Sequence, residues 1–163
     1  MVQVTMLAAR DTRTKPLTSL EEESHKNVCQ YAIDIWMTIE MNEFMQKVNL
    51  AEKFSLFQEY WNPKIVGELN DSYVKLAKFK GEFFWHQHEA EDELFFVVKG
   101  KLLIKLRDRE IWLREGEFMI IPRGIEHLPI AEEEAHVLLL EPKSTVNTGN
   151  VQNERTLTRL ERI

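Results

Sequence analysis

The chain has 163 residues, enough for one domain with a full hydrophobic core, and its 44% hydrophobic and 29% charged content excludes a disordered protein. A net charge of −6 with scattered basic residues excludes the concentrated positive stripe of a nucleic-acid groove. Cys29 is the one cysteine, which excludes an internal disulfide and predicts a reducing, cytoplasmic setting; the start Met1-Val2-Gln3-Val4-Thr5 lacks a leader pattern, and no apolar run reaches the length of a membrane span.

Taken in chain order, residues 1–17 are polar and mixed and read as an extended arm. A helix is predicted over residues 19–46. Thr18 with Glu21 and Ser19 with Glu22 offer capping boxes, and Val28, Ala32, Ile35, Trp36 and Ile39 form one apolar stripe at helical spacing. That stripe packs either on a partner subunit or on the chain's own body. A short second helix is expected around Leu50 to Phe57, with Tyr60, Trp61 and Pro63 marking its exit.

Nine strand candidates follow: Ile65–Leu69, Tyr73–Phe79, Phe83–His88, Leu94–Lys99, Leu102–Arg107, Glu110–Leu113, Phe118–Ile121, His127–Ile130 and Val137–Leu140. Asn70-Asp71, Lys99-Gly100, Arg107-Asp108, Glu115-Gly116 and Glu132-Glu133-Glu134 supply turns between them. Short strands with regular turn signals predict an all-β sandwich or barrel. The chain divides into 1–46 (arm and helix), 47–142 (barrel) and 143–163 (a polar tail whose Thr158-Arg159-Leu160 reads as an arm or frayed end).

Within the barrel, three of the five histidines and one glutamate have spacings suited to a single metal site. Residues two apart on a strand share a face, so His86 and His88 project together. Glu93 opens the next strand after the turn Glu89-Ala90-Glu91-Asp92, and a hairpin would return it beside the pair. His127 stands at the end of Gly116-EFMII-Pro122-Arg123-Gly124-IE. His25 lies in a polar surface sequence, and His136 is expected to face outward or cap.

These two segments are similar to the paired motifs of the cupin superfamily, G(X)5HXH(X)3,4E(X)6G and G(X)5PXG(X)2H(X)3N. The resemblance covers roughly residues 60–142 and implies a single cupin β-barrel (a double-stranded β-helix, or jelly roll) carrying an N-terminal helical extension. It makes His86, His88, Glu93 and His127 the ligands of one divalent transition metal ion, and it puts Gly81, Gly100, Gly116, Pro122 and Gly124 on the turn positions. Two departures stand out: four residues instead of five separate Gly81 from His86, and Ala131 replaces the closing Asn, which is not a ligand. Met41-Asn42-Glu43-Phe44 reads like the start of a single-domain cupin, and the tail from Glu141 to Asn150 also looks like that of small bacterial ones. Such cupins commonly pair through sheet edges, which implies a homodimer.

Three imidazoles and a carboxylate suit Fe, Mn, Ni, Co, Cu or Zn. Counting by twos places Phe84 inward with His86 and His88, with Phe83, Trp85 and Gln87 facing the other way. The same count places Phe95, Val97 and Pro129 inward. The pocket so formed is mainly apolar and suits a small organic molecule. One of Tyr73, Lys75 and Lys78 is expected to reach it; both faces of their strand carry apolar residues, so the phase stays open. The expected function is a metal-dependent enzyme of dioxygenase or isomerase type acting on a small oxygenated substrate. The alternative is a non-catalytic cupin that binds a metal or a small ligand.

Overall fold

The structure is a computed structural model and describes residues 47–163. The arm and the helix expected over residues 19–46, with its apolar stripe, lie outside the described residues.

Described residues begin with a short helix, α1 (Leu50–Ser55), held by Asn49, whose Oδ1 accepts hydrogen bonds from the Ala51 and Glu52 amides at 3.0 and 3.3 Å. Seven strands follow: β1 (Lys64–Leu69), β2 (Ser72–Glu82), β3 (Glu93–Lys99), β4 (Lys101–Leu106), β5 (Glu110–Arg114), β6 (Phe118–Ile121) and β7 (His127–Pro142). All pairings between them are antiparallel, in the order β1-β2-β7-β3-β6, with β4 bonded to both β7 and β5. This is the expected all-β jelly roll.

Strand β7 organises it. Along one edge it follows β2 for most of its length. Along the other it pairs first with β4 (Ile130 opposite Leu103, His127 opposite Leu106) and then with β3 (Leu140 opposite Leu94, Val137 opposite Val97). The sequence reading divided this strand at Glu132-Glu133-Glu134. Instead the chain stays extended there, and the three exposed glutamates form a bulge opposite Lys80 alone. Such a bulge bends a strand without ending it, which lets one strand serve both halves of the roll. Phe83–His88 is likewise not a full strand. It joins the sheet through Phe83, whose amide donates to the Pro129 carbonyl at 3.1 Å, and through the reciprocal His86–His127 bridge at 3.1 and 2.9 Å.

The core comprises Ala77, Phe79, Phe95, Val97, Leu102, Ile104, Ile121, Val137 and Leu139 among others. A smaller cluster of Phe54, Phe57 and Leu76 places α1 on the outer face of β2. Both faces of β2 are therefore buried, the reason its apolar pattern carries no phase. Ala77 and Phe79 face the core, and Lys78, on Leu76's side, donates from Nζ to the Phe57 carbonyl at 2.8 Å. The tail is also more ordered than a frayed end. Ile65 donates to the Glu161 carbonyl at 2.8 Å, Ile163 donates to the Ile65 carbonyl at 3.1 Å, and Arg162 pairs with Glu68.

Candidate metal centre

The structure brings His86, His88, Glu93 and His127 together. One potential ligand atom from each lies within 4.8 Å of all the others, and all four side chains are buried. The route differs from the expected hairpin. Glu93 stands at the start of β3, opposite Ile121 of β6, while His86 is bridged to His127 at the start of β7. Two separate pairings thus deliver the cluster, and no turn between residues 88 and 93 has to pair its flanks.

Backbone contacts orient two of the rings. His86 Nδ1 lies 3.0 Å from the Phe84 carbonyl and His127 Nδ1 lies 3.0 Å from the Ile125 carbonyl. A carbonyl only accepts, so each Nδ1 carries the proton and each Nε2 presents a lone pair, the way metal-binding histidines are usually steered. Glu93 Oε2 sits 3.3 Å from His88 Nε2 and 3.5 Å from His127 Nε2, without hydrogen-bond geometry in either case. These three atoms are buried with no hydrogen-bond partner among the described residues. Buried polar atoms are rarely left so, and a shared cation would satisfy all three. The donor set therefore fits a divalent transition metal.

Electrostatics agree. Burial, reinforced by the neighbouring His127, lowers His86 to about 4, so its imidazole stays neutral at ordinary pH. Burial pushes Glu93 upward, but the close approach of His127 and His88 outweighs it and holds the carboxylate ionised. Burial opposes a charge on His88 as well, yet the Glu93 carboxylate raises it. Neutral imidazoles and an ionised carboxylate are the forms that bind metal, so His86 and Glu93 are set for it, whereas His88 must give up the proton that Glu93 favours.

Beside the cluster lies a small cavity of about 30 Å³, room for little more than a water-sized occupant. Trp61, Phe79, Phe83, Phe95, Pro129 and Leu139 form its apolar walls, and His86 and Glu93 reach it from the metal side. Phe95 and Pro129 were expected there, whereas Phe83 stands where the count by twos put Phe84. That count assumed a regular strand, which Phe83–His88 is not. Val97 is buried in the core and not in the cavity wall. Trp61 was read only as a helix exit; its ring stacks on Phe79 at 4.2 Å and Phe83 at 4.9 Å. Its left-handed backbone (φ 57°) is held by a 2.9 Å bond from its amide to the Lys78 carbonyl.

Of Tyr73, Lys75 and Lys78, only Lys75 bears on the cavity. Its Nζ lies 2.7 Å from Oε1 of Glu141, which lines the cavity. Lys78 is under α1, and Tyr73 lines a separate groove with Lys143 and Arg162. Burial and the charge of Glu93 raise Glu141 to about 7, against the pull of Lys75. Glu141 falls within the barrel range 47–142, but the sequence reading gave it no role beyond opening the tail-like segment Glu141 to Asn150. The signal that could have found it is the period of β7, since counting by twos from the buried Val137 and Leu139 reaches Glu141.

The family described as Cupin_2, Cupin domain, matches residues 73–141. A crystal structure of a cupin-2 domain containing protein from Shewanella frigidimarina NCIMB 400 is 46% identical, covers 59% of this chain and 94% of that one, and superposes with a TM-score of 0.58. The uncharacterized protein YdbB of Bacillus subtilis (strain 168) is 44% identical over 63 residues, 38% of this chain and 56% of that protein. Acireductone dioxygenase 4 of Oryza sativa subsp. japonica is 29% identical over 68 residues, 39% of this chain and 36% of that protein. The chain thus spans little more than half, or less, of the curated relatives it matches. Among the described residues, no helix is long and apolar enough to cross a membrane. With the jelly roll, the two matching motifs and a crystallised relative covered almost end to end, the chain belongs to the cupin superfamily.

Proposed function

We propose that His86, His88, Glu93 and His127 hold one divalent transition metal and that the chain is a metal-dependent enzyme of dioxygenase or isomerase type, acting on a small oxygenated organic substrate. The observation that carries this reading is the convergence of four buried donors within 4.8 Å at the edge of an aromatic-walled cavity. An ion held by these residues with a coordination position open to the cavity would polarise a carbonyl or enediol oxygen or activate water. The chain's own residues supply the rest: the apolar walls exclude water, the Phe84 and Ile125 carbonyls fix the rings, and Lys75–Glu141 adds an ionisable pair in the wall. That pair, buried beside the cluster, favours an enzyme over a non-catalytic binder. The name of the rice relative supports the dioxygenase branch.

Metal analysis of protein purified without added metal, followed by oxygen-uptake screening with small chelating substrates, tests the reading. About one equivalent of Fe, Mn, Ni, Co, Cu or Zn supports the centre, and uptake supports the dioxygenase branch. A metal-free chain that takes up none on incubation overturns the centre. The working form is a homodimer in a reducing cytoplasm, in keeping with exposed Phe118 and Ile120 on edge strand β6 and with a single cysteine. The barrel occupies residues 47–142 as a unit.

A further inference from the structure

We infer that Arg107 is a positioning residue for the histidine cluster: its guanidinium clips the segment carrying His86 to the strand carrying His127, across the outer face of the barrel. The inference rests on the metal-centre reading and adds side chains that do not themselves bind the ion. The segment in question is weakly held. Residues 83–88 join the sheet at two points, through the Phe83 amide and through the reciprocal His86–His127 bridge. A segment with so few ladder bonds opens more readily than a full strand, and two of the four ligands hang from it.

Register shows what spans it. His127 lies between His86 on one side and Leu106 of β4 on the other. One step beyond the Leu106–His127 pair stand Arg107 and Glu126, whose side chains leave the opposite, outer face because direction alternates along extended chain. There Arg107 Nε donates to Glu126 Oε2 at 2.6 Å, and Arg107 Cζ lies 3.9 Å from the centroid of the Trp85 ring. Glu126 immediately precedes His127, and Trp85 immediately precedes His86. One guanidinium thus grips the chain neighbour of each of two ligands. Arginine suits this task, since its flat face covers an aromatic ring while its edge holds a carboxylate; lysine offers a point charge alone. The same kind of contact recurs at the other end of β4 without a ligand beside it. Lys101 Nζ lies 3.0 Å from Glu132 Oε2 and 4.6 Å from the Trp112 ring centroid, which makes it a natural control. The Arg107 and Glu126 side chains are 59% and 37% exposed, so water screens their charges and the expected effect is modest, about threefold to tenfold.

Two measurements on the full chain test this. Hydrogen exchange of the His86 and His127 amides in the metal-free protein reads the bridge directly, because each amide donates to the other residue's carbonyl. Competition titration with zinc reads the cluster. Arg107→Ala should speed both amides and weaken zinc binding, each by about threefold to tenfold. Arg107→Lys, which keeps the charge and loses the flat face, should recover part of both effects. Glu126→Ala added to Arg107→Ala should change little further, since one clip is already gone. Lys101→Ala should leave both readouts at their wild-type values. Amides and zinc affinity unchanged in Arg107→Ala overturn the inference, as do faster amides with zinc affinity unchanged. Equal effects from Lys101→Ala overturn it too, by showing a general loosening of the barrel. A wild-type chain that takes up no zinc sinks the metal reading instead, and the exchange of the two amides then decides by itself whether Arg107 holds the histidine segments together.

Discussion

His86 and Glu141 titrate in opposite senses over nearly the same pH range. His86 falls from an ordinary 6.5 to about 4, so between these values the unfolded chain binds the extra proton, and stability drops as pH falls. Glu141 rises from 4.5 to about 7, so here the folded chain binds the extra proton, and stability grows as pH falls. His88, shifted upward from 6.5, acts above that value, and Glu93, shifted downward from 4.5, acts only below its own. From pH 6.5 to 4.5 the two main contributions therefore oppose each other, and the metal-free wild type should be nearly flat in chemical denaturation. K75M/E141L should uncover His86 and lose about 2–3 kcal/mol over the same interval. An equally flat double variant would contradict this. Replacement of His88 or His127 by alanine should lower metal content to well below half an equivalent, by elemental analysis. The circular dichroism of the barrel should be retained, because the core strands carry their own apolar contacts.

At the scale of elements, the segment after β7 determines where the histidine loop sits. The Asn150 amide donates to the Gln87 carbonyl at 3.0 Å, Asn150 Oδ1 accepts from the Gln87 amide at 3.1 Å, and Gly149 lies against the Gln87 carbonyl and the His86 ring. Gly149 has a φ of 55°, and a Cβ there would collide with the Gln87 carbonyl. Gly149→Ala should therefore push this strap off the loop, costing about 1–3 kcal/mol in denaturant and weakening zinc affinity about tenfold or more, by competition titration. Zinc affinity unchanged alongside lowered stability would show that the strap supports the fold and not the site. None of this was visible in the sequence, because a polar tail gives no periodic signal and the contact runs from Gly149 to residues more than sixty positions away. The motif histidines were legible, since their spacing survives whichever strands they pair with. The faces of Phe83 and Phe84 were not, because alternation holds only in a regular strand, and residues 83–88 touch the sheet at two points.

For the whole molecule, the sheet leaves β6 bonded on one side only among the described residues, and that strand exposes Phe118 and Ile120 at 60% and 52%. Trp112 on β5, which among the described residues pairs only with β4, is also exposed. Scattered apolar residues are ordinary on a surface, but two on a four-residue free edge combine open backbone hydrogen-bonding groups with apolar area. Proteins usually blunt such an edge with charges or cover it, and β6 itself carries none. Pairing with a second copy across a two-fold axis would satisfy the backbone groups and bury both side chains in one step. Light scattering at micromolar concentration should accordingly return twice the 19.3 kDa chain mass, and Phe118→Glu with Ile120→Lys should return the single mass with the metal content unchanged. The last condition separates an edge contact from a folding defect: both side chains point to solvent in the single chain, so charging them leaves the core and the histidine cluster intact. A monomer mass for the wild type, or a dimer that survives both substitutions, would place the contact elsewhere or remove it.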